Sequence, residues 1–246
     1  MVAPALLDRR SAPRRSSPRY RRPVRWEPWE PWEPSPEGRG RRALNIAAAL
    51  VGIALTLPLM VVIAVLIRLT SRGPVLFRQT RIGRDRRTPV APGGNGRRHL
   101  DYGGAPFTMY KFRTMRQDSG AAQVWASPDD PRVTTVGRVL RKLRLDELPQ
   151  LFNVLTGDMN VVGPRPEQPE IVLRLNRHIG AYPRRHRVRP GITGWAQVNL
   201  TYDRSTEDVR KKLACDLEYI ARQSALEDLK IMLRTVPVML RGESGW

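Results

Sequence analysis

The sequence predicts an α+β protein: a small cytosolic mixed domain with short strands and amphipathic surface helices, anchored by one N-terminal re-entrant membrane helix kinked at Pro58. Three observations lead to this class. Residues 43 to 67, ALNIAAALVGIALTLPLMVVIAVLI, contain no charged residue. Beyond them, apolar residues recur at alternating and at helical spacing in short stretches separated by Gly and Pro. With 246 residues and one Cys, the chain has room for one sizeable domain and no internal disulfide.

The first 42 residues crowd Arg, Pro and Ser together and include EPWEPWEPS at 27 to 35. Such a composition cannot build a core and is expected to be a disordered arm. The whole chain is strongly basic, with 43 Lys and Arg against 23 Asp and Glu and a net charge of +20. A surplus of that size attracts phosphates, whether in nucleic acid, anionic lipid or a nucleotide. Three scattered His give no zinc-ligand spacing.

At about 1.5 Å per residue, the apolar run is long enough for a bilayer core of roughly 30 Å. It begins after a long arm and is followed by Arg68 and Arg72 instead of small residues, which argues against a secretory signal. Arg39, Arg41 and Arg42 precede it, and Arg68, Arg72, Arg78, Arg81 and Arg84 follow, so the positive-inside rule puts both ends on the cytoplasmic face. Pro58 lacks an N–H and can kink the helix. A helix over 43 to 70 that dips in and returns satisfies both flanks; a kinked single pass is the alternative.

The remainder, 71 to 242, reads as the main domain. A turn at Gly73 and Pro74 precedes a short strand, VLF, and a basic loop. Residues 86 to 105 form a Gly-rich insert, and FTMYKF at 107 to 112 alternates as a strand that delivers Lys111 and Arg113 to one end. Polar residues 116 to 131 read as a loop. Val136, Val139, Leu140 and Leu143 recur at helical spacing, as do Leu148, Leu151, Phe152 and Leu155, with Gly157 as the C-terminal stop. MNVV at 159 to 162 reads as a buried strand, GPRP as a rigid turn, and 167 to 179 as a helix. Ser205 and Asp208 resemble a capping box for a helix near 206 to 222, and 226 to 240 is a last apolar helix.

The chemistry centres on LDELPQ, where Asp146 stands beside Glu147 just after Arg141, Lys142 and Arg144. Asp146 falls at a helix junction, with Glu147 in the first turn of the second helix. It is open to two readings, an N-cap or a catalyst. Free backbone N–H groups at that position lower a carboxyl pKa. Two prolines restrict Arg165, as suits a guanidinium held against phosphate. One acid as nucleophile with the other on a divalent cation would form a phosphoryl-transfer centre, and both acids on the cation is equally open.

The ordered series SRGPVLFRQTRIG, KFRTM, LRKLRLDELPQLFNVLTGDMNVVGPRPE, RPGITGWAQVN and DLEYI…SALEDLKIMLRTV resembles the bacterial sugar transferase family, the monotopic polyprenol-phosphate phosphoglycosyl transferases, over about residues 44 to 242. The resemblance implies that Asp146 attacks the sugar-linked phosphate of a UDP-sugar and that Glu147 is the Mg²⁺ ligand. It also implies that Arg165 contacts substrate phosphate and that polyprenyl (undecaprenyl) phosphate takes up the phosphosugar. Lys111, Arg113 and Arg144 match basic positions of its motifs and, from their charge, are expected to bind substrate phosphate, and Asp158 either supports the metal region or caps a turn. The family uses a re-entrant helix broken at proline in the bacterial inner membrane, with the catalytic domain facing the cytoplasm. Leu57 precedes Pro58 where relatives commonly have Ser, and Thr56 offers a substitute hydroxyl. Larger members carry further segments in front, so the chain resembles a short form.

A second class competes: a membrane-anchored basic nucleic-acid or anionic-lipid binder without catalysis. Such a protein has no need for adjacent acids at a helix entry, and no nucleic-acid motif is present, so nucleic acid is not an expected partner.

Overall fold

A computed structural model describes residues 37 to 86, 102 to 116, 130 to 200 and 206 to 240. Most of the expected arm, most of the 86 to 105 insert and Ser205 of the expected capping box lie outside the described residues.

Helix α1, Arg39–Thr70, is 32 residues long and remains helical through Pro58. At about 1.5 Å per residue it measures roughly 48 Å. It begins before the expected residue 43, because Arg41 and Arg42 find partners on the folded domain. Only 17% of its most apolar stretch is buried, and Leu55 is 77% exposed. A core helix of a soluble protein would be mostly covered, so this surface is suited to lipid. Thr56 Oγ1 donates to the Gly52 carbonyl at 2.7 Å, giving the hydroxyl-to-backbone bond that Leu57 cannot make.

Both halves of α1 pack on the domain. Arg41, Asn45 and Ala49 are buried near its start, and Met60, Ile63 and Ile67 near its end. The second group joins Phe112 and Leu140 in one apolar cluster. At the first end, Arg41 Nε donates to Asp228 Oδ2 at 2.8 Å, and Asn45 Oδ1 accepts from the Val161 amide at 2.7 Å.

Strands β1, Leu76–Ile82, and β2, Pro106–Phe112, form an antiparallel pair in which Leu76 faces Phe112 and Ile82 faces Pro106. The expectation of a basic loop after VLF is corrected here. Arg78 and Arg81 lie within the strand, where the Arg78 guanidinium sits over the Tyr110 ring at 5.9 Å and Arg81 bonds the Pro166 carbonyl.

Helix α2, Thr135–Lys142, is N-capped by Thr134, whose hydroxyl accepts from the Gly137 amide at 2.9 Å. A 3₁₀ turn, Leu145–Glu147, separates it from α3, Gln150–Thr156. Gly157 ends α3 in the left-handed conformation, with φ 88°.

Strands β3, Asn160–Val162, and β4, Gly191–Thr193, run parallel. Here the GPRP and RPGITG motifs touch through backbone. A Cβ on Gly163 would meet the Arg189 carbonyl at 2.4 Å, and one on Gly191 would meet the Gly163 amide at 2.1 Å, so neither position admits a side chain. Helices α4, Pro169–His178, α5, Trp195–Asn199, α6, Thr206–Arg222, and α7, Ala225–Leu240, complete the described fold. The largest core cluster joins Val162, Val172, Leu217, Tyr219 and Ile231, fixing the turn after β3 from below.

Candidate active site: an acid pair among converging cations

Asp146 and Glu147 do not enter α3. They occupy the separate 3₁₀ turn, and the residue at the N-cap of α3 is Pro149. The turn is set by Arg144, whose φ of 55° and ψ of 20° place it in the left-handed region. An L-residue held there is strained by about 1–2 kcal/mol. That reversal presents both acids to the same side of the domain, next to the end of β2 and the turn after β3.

Three elements send cations to Glu147. Lys111 Nζ from β2 donates to Oε1 at 2.9 Å, and Arg165 Nη2 from the proline-flanked turn donates to the same oxygen at 2.7 Å. Arg144 Nη1 lies 3.5 Å from Oε2. Burial alone would raise this carboxyl, but the combined charges of Arg165, Lys111 and Arg144 outweigh it and hold Glu147 well below the usual carboxylate range. Glu147 is therefore an anion at neutral pH.

Asp146 behaves in the opposite way. It is 9% exposed, and among the described residues no hydrogen bond or ion pair engages its carboxylate. Burial pushes it up to about 6, with Lys111 opposing the rise and Glu147 adding to it. The expected lowering by helix-end amides is thus corrected, since the turn supplies no capping bond and packing desolvates the group. Asp146 is not a cap.

The Arg165 backbone is held from behind. Its carbonyl accepts from Arg185 Nη2 at 2.9 Å, and the same guanidinium nitrogen is 2.8 Å from Asp216 Oδ2 of α6. Arg81 Nη1 donates to the Pro166 carbonyl at 3.1 Å. Sequence reasoning missed Arg81, Arg185 and Asp216. Their signal was weak, because each sits among many other charged residues. Arg141, whose charge acts directly on Asp146, was also overlooked as one of a basic run.

Two named positions lie apart from this cluster. Arg113 lies beyond the end of β2 and donates through Nη2 to the carbonyl and hydroxyl of Ser71, at 2.8 and 2.9 Å, closing the end of α1. Asp158 accepts from the Thr156 hydroxyl at 3.0 Å and pairs with Arg86, as a residue of the turn after α3.

No group of three or more His, Cys, Asp or Glu suited to a metal occurs among the described residues. The donor set fits a different kind of site. Magnesium is held by one or two carboxylates, with substrate phosphates and water completing its shell. Glu147 Oε2, approached only at 3.5 Å by Arg144, is the oxygen free to contribute.

A buried anion gathering three cations, a carboxylate beside it with no hydrogen bond or ion pair among the described residues, and a lipid-suited helix packed behind suit a membrane-associated domain that handles phosphate. Residues 37 to 242 match the model of the bacterial sugar transferase family. The chain is 45% identical over 204 residues to the UDP-N-acetylgalactosamine-undecaprenyl-phosphate N-acetylgalactosaminephosphotransferase of Aeromonas hydrophila, covering 82% of this chain and 44% of that one. It is 41% identical over 209 residues to the UDP-glucose:undecaprenyl-phosphate glucose-1-phosphate transferase of Caulobacter vibrioides, covering 84% and 72%. Against the Escherichia coli protein of the same description it is 40% identical, spanning 39% of that relative. The chain belongs to the bacterial sugar transferase family of membrane sugar-phosphate transferases, which favours the enzyme over the binding protein.

Proposed function

We propose that this chain moves a sugar-1-phosphate from a UDP-sugar to polyprenyl (undecaprenyl) phosphate through a covalent aspartyl intermediate. This would be the first membrane step of exopolysaccharide, capsule or glycoconjugate synthesis. The observation that carries the reading is the contrast inside the acid pair: Glu147 gathers the cations while Asp146 stays without a partner among the described residues. The names of the relatives, which join UDP-sugars to undecaprenyl phosphate, support the two substrates.

In the first step an Asp146 oxygen attacks the sugar-bearing phosphorus. The bond from that phosphorus to the bridging oxygen breaks, and UMP leaves with the electron pair. In the second, an oxygen of the acceptor phosphate attacks the same phosphorus and Asp146 departs as a free carboxylate. The product is a polyprenyl-diphosphate sugar, and the enzyme is restored.

With its carboxyl pushed up to about 6, Asp146 is ionised at neutral pH yet more basic than an ordinary aspartate, which favours nucleophilic attack. Arg165, Lys111 and Arg144 offset the negative charge of the incoming diphosphate. Glu147 keeps those cations in place and, through Oε2, would hold Mg²⁺ together with donor phosphate oxygens. When bound, Mg²⁺ supplies further neutralisation of the diphosphate. Arg113 is 4% exposed, and its proposed contact with substrate phosphate gives way to a role at the end of α1.

For the membrane we propose the re-entrant arrangement, with residues 71 to 242 as the catalytic domain on the cytoplasmic face of the bacterial inner membrane. Basic residues at both flanks support it, as does the packing of both halves of α1 on one domain. The test is UMP release from a panel of UDP-sugars by protein in nanodiscs, with Mg²⁺ and with or without undecaprenyl phosphate. Multiple turnovers that require the lipid and disappear in Asp146→Asn are expected; full activity in that variant would remove Asp146 from the mechanism.

A further inference from the structure

A cavity of about 230 Å³ opens beside the acid pair. Arg144 and Glu147 lie at one end, and its walls come from α3, β3, β4, α5 and α7, through Leu148, Leu151, Val161, Ile192, Met232 and Val236 among others. The wall is overwhelmingly apolar, and its hydroxyls are already satisfied. Thr193 Oγ1 and Thr235 Oγ1 bond each other at 2.8 Å, and Thr235 donates to the Ile231 carbonyl. Gln197 gives its amide nitrogen to the Ile192 carbonyl at 3.0 Å, and its buried oxygen is the one polar wall atom found without a hydrogen-bond partner among the described residues, apart from the charged end.

The two ends differ in chemistry. One carries the charges that gather around Glu147. The other is closed by α7, where Val236 is 56% exposed and continues a helical stripe with Leu229 and Leu233, 43% and 65% exposed. A ligand filling this space must be anionic at one end and hydrocarbon behind it. A nucleoside diphosphate sugar is polar throughout and would leave its hydroxyls and base without partners along such walls.

Resting on the transferase reading above, we propose that this cavity is the seat of the acceptor's prenyl chain, taking the isoprene unit next to the phosphate and the start of the following one. A cavity of about 150 Å³ with similar walls holds a benzene ring, so the volume here has room for one branched unit of comparable size and part of another. The chain leaves along the exposed stripe of α7 toward lipid, and its phosphate is brought to Arg144 and Arg165. The donor, polar throughout, has no place along these walls. The cavity therefore serves the second step and leaves the first untouched.

Because the first step needs no acceptor, exchange of labelled UMP into UDP-sugar isolates it. Val236→Trp and Ile192→Phe, which fill the cavity from two walls, are expected to raise the KM for undecaprenyl phosphate about tenfold or more while exchange stays within about twofold of the unmodified protein. Retained exchange also reports an intact fold. An acceptor KM unchanged in both variants overturns the proposal, and so does a fall in exchange matching the fall in turnover, which would give the cavity to the donor or to stability. A polyprenyl phosphate with a diazirine on its first isoprene unit is expected to label peptides containing Ile192 or Met232, without donor present. Labelling confined to α1 overturns the assignment directly. Labelling of the cavity by a protein that shows neither exchange nor turnover with any UDP-sugar would instead locate the failure in the transferase reading.

Discussion

Arg165 and Glu147, one in a turn between two prolines and the other in an isolated 3₁₀ turn, meet at 2.7 Å across 18 residues of chain. Their ion pair joins the acid pair to the proline-flanked turn after β3, and Lys111 completes it from β2. Glu147→Gln keeps the shape and removes the charge for which the cations compete. The expected result is loss of nearly all turnover and a stability loss of about 2–3 kcal/mol, given that Arg165 remains partly exposed. Thermal melts beside UMP release check this; an active, equally stable variant would show that the cations need no internal anion.

Ionisation of Asp146 sets the pH dependence. Its carboxyl is pushed up to about 6 in the folded protein, above the value of roughly 3.9 in an unfolded chain. The unfolded state therefore gives up this proton first, and the contribution of Asp146 to stability falls as pH rises from about 4 to about 6. Glu147, held low, acts in reverse, and its stabilisation is lost only as pH falls through its depressed folded value. Initial UMP release should rise with pH through about 6. Asp146→Asn should be inactive yet no less stable at neutral pH, and a marked destabilisation would contradict the burial cost assigned to the carboxylate.

Strain at Arg144 can be measured with two substitutions that remove the same guanidinium. Glycine accepts a φ of 55° without penalty, and alanine does not. Arg144→Gly should be more stable than Arg144→Ala by about 1 kcal/mol, with both impaired in turnover. Equal stabilities in denaturant titrations would mean that the turn relaxes once the side chain is gone.

At the membrane end, Arg41 and Asp228 form a buried ion pair, 5% and 0% exposed, with the Tyr219 hydroxyl donating to the other Asp228 oxygen at 2.6 Å. Asp228→Ala leaves the Arg41 charge buried without its carboxylate and should cost about 3–5 kcal/mol, with Asp228→Asn costing less. Melting in detergent reads the stability, and proteolysis between α1 and β1 reads the docking of the helix.

Much of this architecture is legible in the sequence where one element follows one periodicity. The apolar run, β2, α2, α3, β3 and α7 all lie close to their expected places, because each buries one regularly spaced face. Strand β1 is obscured by Arg78 and Arg81, whose charges resemble a loop until Tyr110 and Pro166 are known to receive them. Motif order identifies Asp146, Glu147 and Arg165 as candidates. It cannot say that the close ion pairs fall to Glu147 and not to Asp146, since the partners arrive from β2 and from the turn after β3. Nor does it separate Lys111 from Arg113, two residues apart, of which the first meets Glu147 and the second Ser71 at the end of α1. The basicity of Asp146 is likewise a product of packing, which no local pattern encodes.

Asn45 and Arg41 clasp the chain at Val161 and Val162, just ahead of the loop that carries Arg165. The apolar rod and the acid pair are thereby machined as one part, and in the membrane arrangement proposed above the bilayer becomes its datum plane. A thicker or thinner membrane would tilt the whole part, while the spacing between Asp146 and the cations beside it stays as the protein, and not the lipid, has cut it.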